Sequence, residues 1–231
     1  MNEERQKRVL LKVGGSLIEK GRAILRFLRD YAEENARTIL VVPGGGPFAE
    51  AVRALSDEFA MAEETVHWMA VLAMHQYGLF LANGEREIPL VERVEEIDAA
   101  GHICIVLPYK MLRADDCLPH TWDVTSDTIA AFVANKLGEK TFVKLTDVDG
   151  IVNEGGQVIE ELSAQRMIER GERGCVDAAL PGFLVQEKMS CVVVNGNFTE
   201  RIIAVIEGKV TLCTRLSYAV SAVETFSFSR R

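Results

Sequence analysis

Lys12-Val-Gly-Gly-Ser16, at the end of the apolar run Val9–Val13, decides how this chain is read. The run reads as a strand, and the glycines break it before an amphipathic, helix-length stretch near 19–35. The pattern returns at Thr38–Val42, which runs into Pro43-Gly-Gly-Gly-Pro47 and a second helical stretch near 47–61. Two strands therefore end in two glycine loops, each leading into a helix. Glycine lets backbone N–H groups approach phosphate oxygens closely. A helix N-terminus behind each loop favours anions, and Lys12 adds a mobile positive charge. Either cluster alone reads as a tight strand-to-helix turn. Both together, with the lysine, point to a polyphosphate gripped from two sides.

Further apolar runs extend the pattern: Ile88–Val91, Ile103–Leu107, Thr141–Leu145, Cys191–Val194 and Val210–Cys213. They are rich in Val, Ile and Leu and lack polar alternation, as strands buried on both faces do. Helical patterns lie between them, near 63–83, 93–100, 125–137, 163–170 and 198–207. The expected fold is a three-layer αβα sandwich with a mostly parallel central sheet. Glu63–Asn83 has almost no polar face, which suits a deep core helix or a subunit-interface helix equally. Gly155-Gly156 marks a turn of a small hairpin.

The 231 residues are read as one domain, with 217–231 as a loosely held tail. A formal charge of −8 argues against nucleic acid, which needs clustered cations. No apolar stretch is long enough to span a bilayer, and the charged start, Met1–Arg8, shows no signal-peptide pattern. Five scattered cysteines without a Cys-x-x-Cys motif suit a reducing cytoplasm. The histidine spacings predict no metal site.

Three further blocks could carry chemistry. His120-Thr-Trp-Asp-Val-Thr-Ser-Asp127 places Asp123 and Asp127 at the entry of a helix, where either a capping or a catalytic role is open. Lys144-Leu-Thr-Asp-Val-Asp-Gly150 is a strand ending in two aspartates and a glycine. Val192–Asn197 is another strand running into a glycine turn.

Together these blocks resemble the amino acid kinase superfamily, which includes acetylglutamate, aspartate, carbamate, isopentenyl phosphate and bacterial uridylate kinases. The matching pieces are K-x-G-G-S at Lys12–Ser16, G-G-G at Gly44–Gly46, and an Asp before Ala-Ala at Asp127–Ala131. L-T-D-V-D-G follows at Leu145–Gly150, then Asn195-Gly196 and Glu200-Arg201. The wording of His120–Asp127 and of Val176–Pro181 is similar to the small phosphate kinases of methanofuran biosynthesis.

The resemblance implies γ-phosphoryl transfer from ATP to the monophosphate of an aminomethylfuran methanol, giving a diphosphate. It implies Lys12 and Asp127 as catalytic residues, with Asp127 orienting Lys12. It assigns Gly14, Gly15 and Ser16 to ATP phosphates and Gly44, Gly45 and Gly46 to the acceptor. Lys144, Thr146, Asp147, Asp149 and Gly150 would line the nucleotide pocket. Mg2+ would bridge phosphate oxygens with few or no protein ligands. For the acceptor, His120, Trp122 and Asp123 offer a flat wall for the ring and a carboxylate for its ammonium.

One departure stands out. Many members carry a second catalytic lysine near G-M-x-x-K, where this chain has Leu180–Lys188 with Gly182. Lys188 or Lys144 could replace it, or no second lysine is needed. Uridylate and isopentenyl phosphate are the alternative acceptors, although isopentenyl phosphate kinases usually place a histidine beside the G-G-G loop and here Pro43 and Pro47 flank it. A non-catalytic nucleotide or amino-acid sensor is a third reading. A homodimer or higher homo-oligomer, joined through the 63–83 helix, is expected.

Overall fold

The structure is a computed structural model that describes residues 8–219, apart from Glu85 and Arg173. The reading of the N-terminal segment falls almost wholly outside the described residues, as does the expected tail beyond Ala219.

The first glycine-terminated run is strand β1 (Arg8–Val13) and the second is β2 (Thr38–Pro43). They pair in parallel, in register from Arg8↔Thr38 to Val13↔Pro43. Helix α1 (Ile18–Glu34) joins them, after a short 3-10 turn at Gly15–Leu17. It buries Gly21, Ile24, Leu25, Leu28 and Ala32, the spacing of a single apolar stripe laid on a sheet. Helices α2 (Gly46–Glu58) and α3 (Glu63–Ala82) follow β2.

The remaining strands are β3 (Leu90–Val91), β4 (Ile103–Val106), β5 (Thr141–Thr146), β6 (Glu161–Ser163), β7 (Ser190–Asn195) and β8 (Thr214–Ser217). The remaining helices are α4 (Tyr109–Asp115), α5 (Ser126–Lys136), α6 (Ala164–Arg170), α7 (Leu180–Glu187) and α8 (Thr199–Ile206). The eight strands form one sheet in the order β3-β4-β2-β1-β5-β7-β8-β6. Every neighbouring pair is parallel except β7–β8.

Alternate residues of the central strands feed two cores, one on each face. Leu11, Val13, Val41 and Leu145 pack against α1 and α8. Leu10, Val42, Phe142 and Val193 pack against α4, α5, α6 and α7. This is the expected three-layer sandwich.

The helix α3 contributes to both cores, through Val71 and Met74 on one side and Tyr77 and Leu81 on the other. Its missing polar face is thus mostly explained by burial within the chain, leaving Leu72 and Leu79 exposed.

Two local expectations are corrected, and three short elements are new. The last strand lies at Thr214–Ser217 rather than Val210–Cys213, and Val210 is fully exposed. The helix expected near 93–100 is reduced to a 3-10 turn at Val94–Glu96. Helices α4 and α7 and strand β6 were not expected, being too short to show a period. The Gly155-Gly156 hairpin is present, closed by an antiparallel bridge between Val152 and Val158.

Candidate active site

Lys12 on β1 and Lys144 on β5 are register partners. Their side chains therefore leave the same face of the sheet. The chain order reverses at this point, since β2 flanks β1 on one side and β5 on the other. Such a switch point, at the carboxyl ends of the strands, is where open α/β sheets bind ligands.

The first turn of α5 brings Asp127 between the two lysines. Its Oδ1 lies 2.8 Å from the Lys12 ammonium and its Oδ2 lies 2.5 Å from the Lys144 ammonium. All three side chains are buried. Lys144 also donates to the Cys175 carbonyl. The Lys12 ammonium is held by Asp127 Oδ1 as a buried ion pair.

Burial pushes the Asp127 carboxyl up, but the two ammonium groups outweigh it and hold the acid near 2. Burial pulls Lys12 below its ordinary value against the opposing charge of Asp127, and the Lys144 charge adds to the fall. Lys144 feels the same burial, yet Asp127 holds it above its ordinary value. One shared carboxylate thus supports both ammonium groups against the cost of burial.

Asp127 does not cap its helix. That work falls to Asp177, from the segment before α7. Its carboxylate accepts from the Thr125 and Thr128 amides, both at 2.9 Å, from both threonine hydroxyls, and from the Leu180 amide at 2.9 Å. The Asp177 amide in turn donates to Asp127 Oδ2 at 3.1 Å. A single side chain thus secures the first turns of α5 and α7 and fixes the acid between the lysines.

The two glycine loops touch. The Gly14 amide donates to Leu145 O at 2.9 Å and the Gly44 amide to Val13 O at 2.8 Å, which ties both loops to the strand ends. A Cβ on Gly15 would stand 2.4 Å from Gly46 Cα, so no side chain fits. Gly46 has φ +54°, a conformation glycine adopts without strain. The Tyr77 hydroxyl of α3 donates to Gly14 O at 3.3 Å from behind.

A cavity of about 580 Å³ opens from these loops. Gly15, Ser16, Gly45 and Gly46 form one end, and Thr125 and Ser126 the mouth of α5. Ala70, Val71, Met74 and Trp122 give apolar wall, and Glu50, Arg53 and His67 complete it. The Arg53 guanidinium carbon lies 4.1 Å from the Trp122 ring centre. Burial, with a smaller push from His120, lowers His67 to about 4, so it is neutral near pH 7.

The expected acceptor trio does not stay together. Trp122 lines the cavity. His120 stacks on His67, with ring centres 4.5 Å apart, pairs with Asp116 at 2.8 Å, and borders an adjoining recess of about 170 Å³. Asp123 is exposed and borders a different recess, with Gly174–Ala178. Loop residues one apart can face opposite ways, which spacing alone does not reveal.

The Thr146–Gly150 stretch leaves β5 at the same sheet end. Thr146 is buried and donates to Asp147 at 3.2 Å. Asp149 accepts from Asn195 at 2.9 Å and pairs with Arg201 at 2.6 Å, and these bonds keep it ionised well into acid. Asn195 also donates to Asp147 O at 3.2 Å. At Gly150 any Cβ would meet Thr214 Oγ1 at 2.5 Å. Lys144, grouped with this stretch by sequence, points instead into the ion-paired centre.

Lys188 ends α7 just before β7 begins. A six-residue strand, roughly 20 Å long, separates it from the carboxyl ends of the strands. Of the two lysines weighed for the missing family lysine, the geometry places Lys144 beside Asp127 and Lys188 at the far edge. Glu50, Arg53 and Asp177 were missed. In sequence a polar residue on a helix or loop looks the same whether it faces solvent or a cavity.

Residues 7–195 match the profile of the amino acid kinase family. The chain is 32% identical over 216 residues to the [5-(aminomethyl)furan-3-yl]methyl phosphate kinase of Methanocaldococcus jannaschii, covering 90% of this chain and 96% of that protein. It is 23% identical to the uridylate kinase of Thermococcus kodakarensis, over 87% of this chain and 96% of that one. Among solved structures, the UMP kinase of Bacillus anthracis superposes with a TM-score of 0.71 at 13% identity, covering 93% of this chain and 97% of that one. The uridylate kinase of Archaeoglobus fulgidus gives 0.67 at 19%, covering 90% and 99%.

Proposed function

From the premise that this chain belongs to the amino acid kinase family, we propose that it transfers the γ-phosphoryl group of ATP to a phosphate monoester, and that the monoester is [5-(aminomethyl)furan-3-yl]methyl phosphate. The buried Lys12–Asp127–Lys144 centre, facing two touching glycine loops, carries the phosphotransferase reading. The likeness to the M. jannaschii enzyme along nearly its whole length supports the acceptor.

The residues present suit a bound triphosphate. The loops leave no room for side chains, and the Gly14 and Gly44 amides are taken up by Leu145 O and Val13 O, so backbone N–H groups of Gly15 and Ser16 can meet nucleotide phosphates while those of Gly45 and Gly46 meet the acceptor phosphate. Bound ATP supplies the group transferred. An oxygen of the acceptor phosphate forms the new P–O bond as the bond to ADP breaks. Little covalent help is needed, and positioning with charge neutralisation does most of the work. Lys12, whose ammonium has three N–H donors, would meet the charge spreading over the transferred group. Asp127 stays ionised and holds both lysines in place, and of the two lysines weighed for the second role Lys144 is the one beside it.

Among the described residues no three His, Cys, Asp or Glu side chains are grouped to hold a metal. Mg2+ would therefore be carried on phosphate oxygens. Five unpaired cysteines support a reducing, cytoplasmic setting, and no helix among the described residues is long and apolar enough to cross a membrane.

Uridylate is the second reading, favoured by the likeness to the T. kodakarensis enzyme. The test is ATP consumption with purified protein offered the aminomethylfuran phosphate, UMP or isopentenyl phosphate. The expected result is turnover with the furan at least tenfold above the others in kcat/KM. A preference for UMP would overturn the acceptor, and no turnover with any phosphate monoester would overturn the reaction.

A further inference from the structure

The acceptor cavity contains one carboxylate, and it is not the one expected from sequence. Among the described residues, Glu50 is the only acidic side chain on its lining. It lies one turn into α2, four residues beyond Gly46, which sets it about 6 Å along the helix axis from the loop. Its nearest cation, Arg53, is 3.9 Å away, too far for a hydrogen bond. Arg53 is instead engaged with the face of Trp122. Trp122 is thereby held as a flat wall beside the Glu50 carboxylate, which is 74% exposed and only loosely paired with Arg53.

We propose that Glu50 selects a cationic acceptor, taking the ammonium group of a small ring that lies on Trp122 while the ring's phosphate rests on the Gly44–Gly46 loop. This deepens the acceptor reading above and rests on it. A ring with a methylene arm on each side spans the loop-to-Glu50 interval. The carboxylate oxygens accept N–H bonds from the ammonium, and those charge-assisted bonds are stronger than neutral ones. A uracil or an isoprenyl chain brings no cation and gains nothing from Glu50. Asp123, on the far side of the Trp122 loop, takes no part.

The test compares two acceptors, the aminomethylfuran phosphate and its analogue with methyl in place of aminomethyl, on wild type, Glu50→Gln and Glu63→Gln. Glu63 borders only the adjoining recess and serves as the control. Wild type should favour the amine about two- to fivefold in kcat/KM, the scale of an exposed ion pair. Glu50→Gln should erase that preference by raising the acceptor KM, with the ATP KM and the rate on the methyl analogue unchanged. Glu63→Gln should keep it. A preference that survives Glu50→Gln, or is lost in Glu63→Gln, overturns the role of Glu50 while leaving the acceptor reading intact. Wild type that turns over neither furan overturns the acceptor reading itself, and the Glu50 inference with it.

Discussion

Lys12 is drawn down by burial and held up by Asp127, so the charge it offers depends on one neighbour. Replacing Lys12 by Ala leaves Asp127 paired with Lys144 and should preserve the fold, but kcat should fall on the order of 100-fold or more. Steady-state turnover beside a thermal melt separates the two effects. Asp127→Asn keeps the shape and removes the charge. The two ammonium groups then face each other without a counter-ion, and the Lys12 pKa falls further. If transfer needs protonated Lys12, the alkaline limb of the pH–rate profile moves to lower pH in this variant. An unshifted limb would detach Lys12 from that limb. The sign for stability is opposite in direction. Asp127 has a folded value near 2 against an ordinary 3.8, so its contribution is present above 3.8 and is lost as pH falls toward 2. Lys12 and Asp127 were legible in sequence because each sits in a worded motif. Lys144 was sorted to the nucleotide side because strand register, which sets it against Lys12, leaves no trace in sequence.

Between elements, the segment Cys175–Leu180 acts as a clamp. Asp177 alone receives five hydrogen bonds from the entries of α5 and α7. Losing an N-cap costs up to about 2 kcal/mol per helix, and here two helix entries share one side chain. Asp177→Ala should therefore destabilise the protein by about 2–4 kcal/mol in denaturant unfolding. Asp177→Asn should recover only part, because its amide group faces N–H donors. A loss below about 0.5 kcal/mol in both variants would show that water replaces the carboxylate without cost. The buried parallel strands β1, β2, β4, β5 and β7 were readable as unbroken apolar runs. The clamp was not, because α7 and the loop before it have neither period nor length enough to announce a structure. Asp177 resembles any turn residue until α5 is placed beside it.

For the molecule as a whole, the sheet order joins β1 at the centre to β6 and β8 at one edge, and the glycine loops, Asp127 and Lys144 come from segments far apart in sequence. The helix α3 bears on assembly. Its two possible roles, core and interface, were equal in sequence, and the structure spends most of its apolar surface inside the chain. What is left over is a strip: Leu72 and Leu79, seven residues apart and so on one helix face, are 43% and 56% exposed. On the preceding helix Leu55 is 41% exposed, and Phe59, just past its end, is 54% exposed. Scattered surface leucines need no explanation, but two pairs on packed neighbouring helices are what a two-fold contact between copies would cover. We expect a homodimer in light scattering at micromolar concentration. Leu72→Glu with Leu79→Glu should give a folded monomer, since both side chains already face solvent within one chain. A wild-type monomer would assign α3 to the core alone, and a dimer unmoved by the double substitution would place the contact on another face.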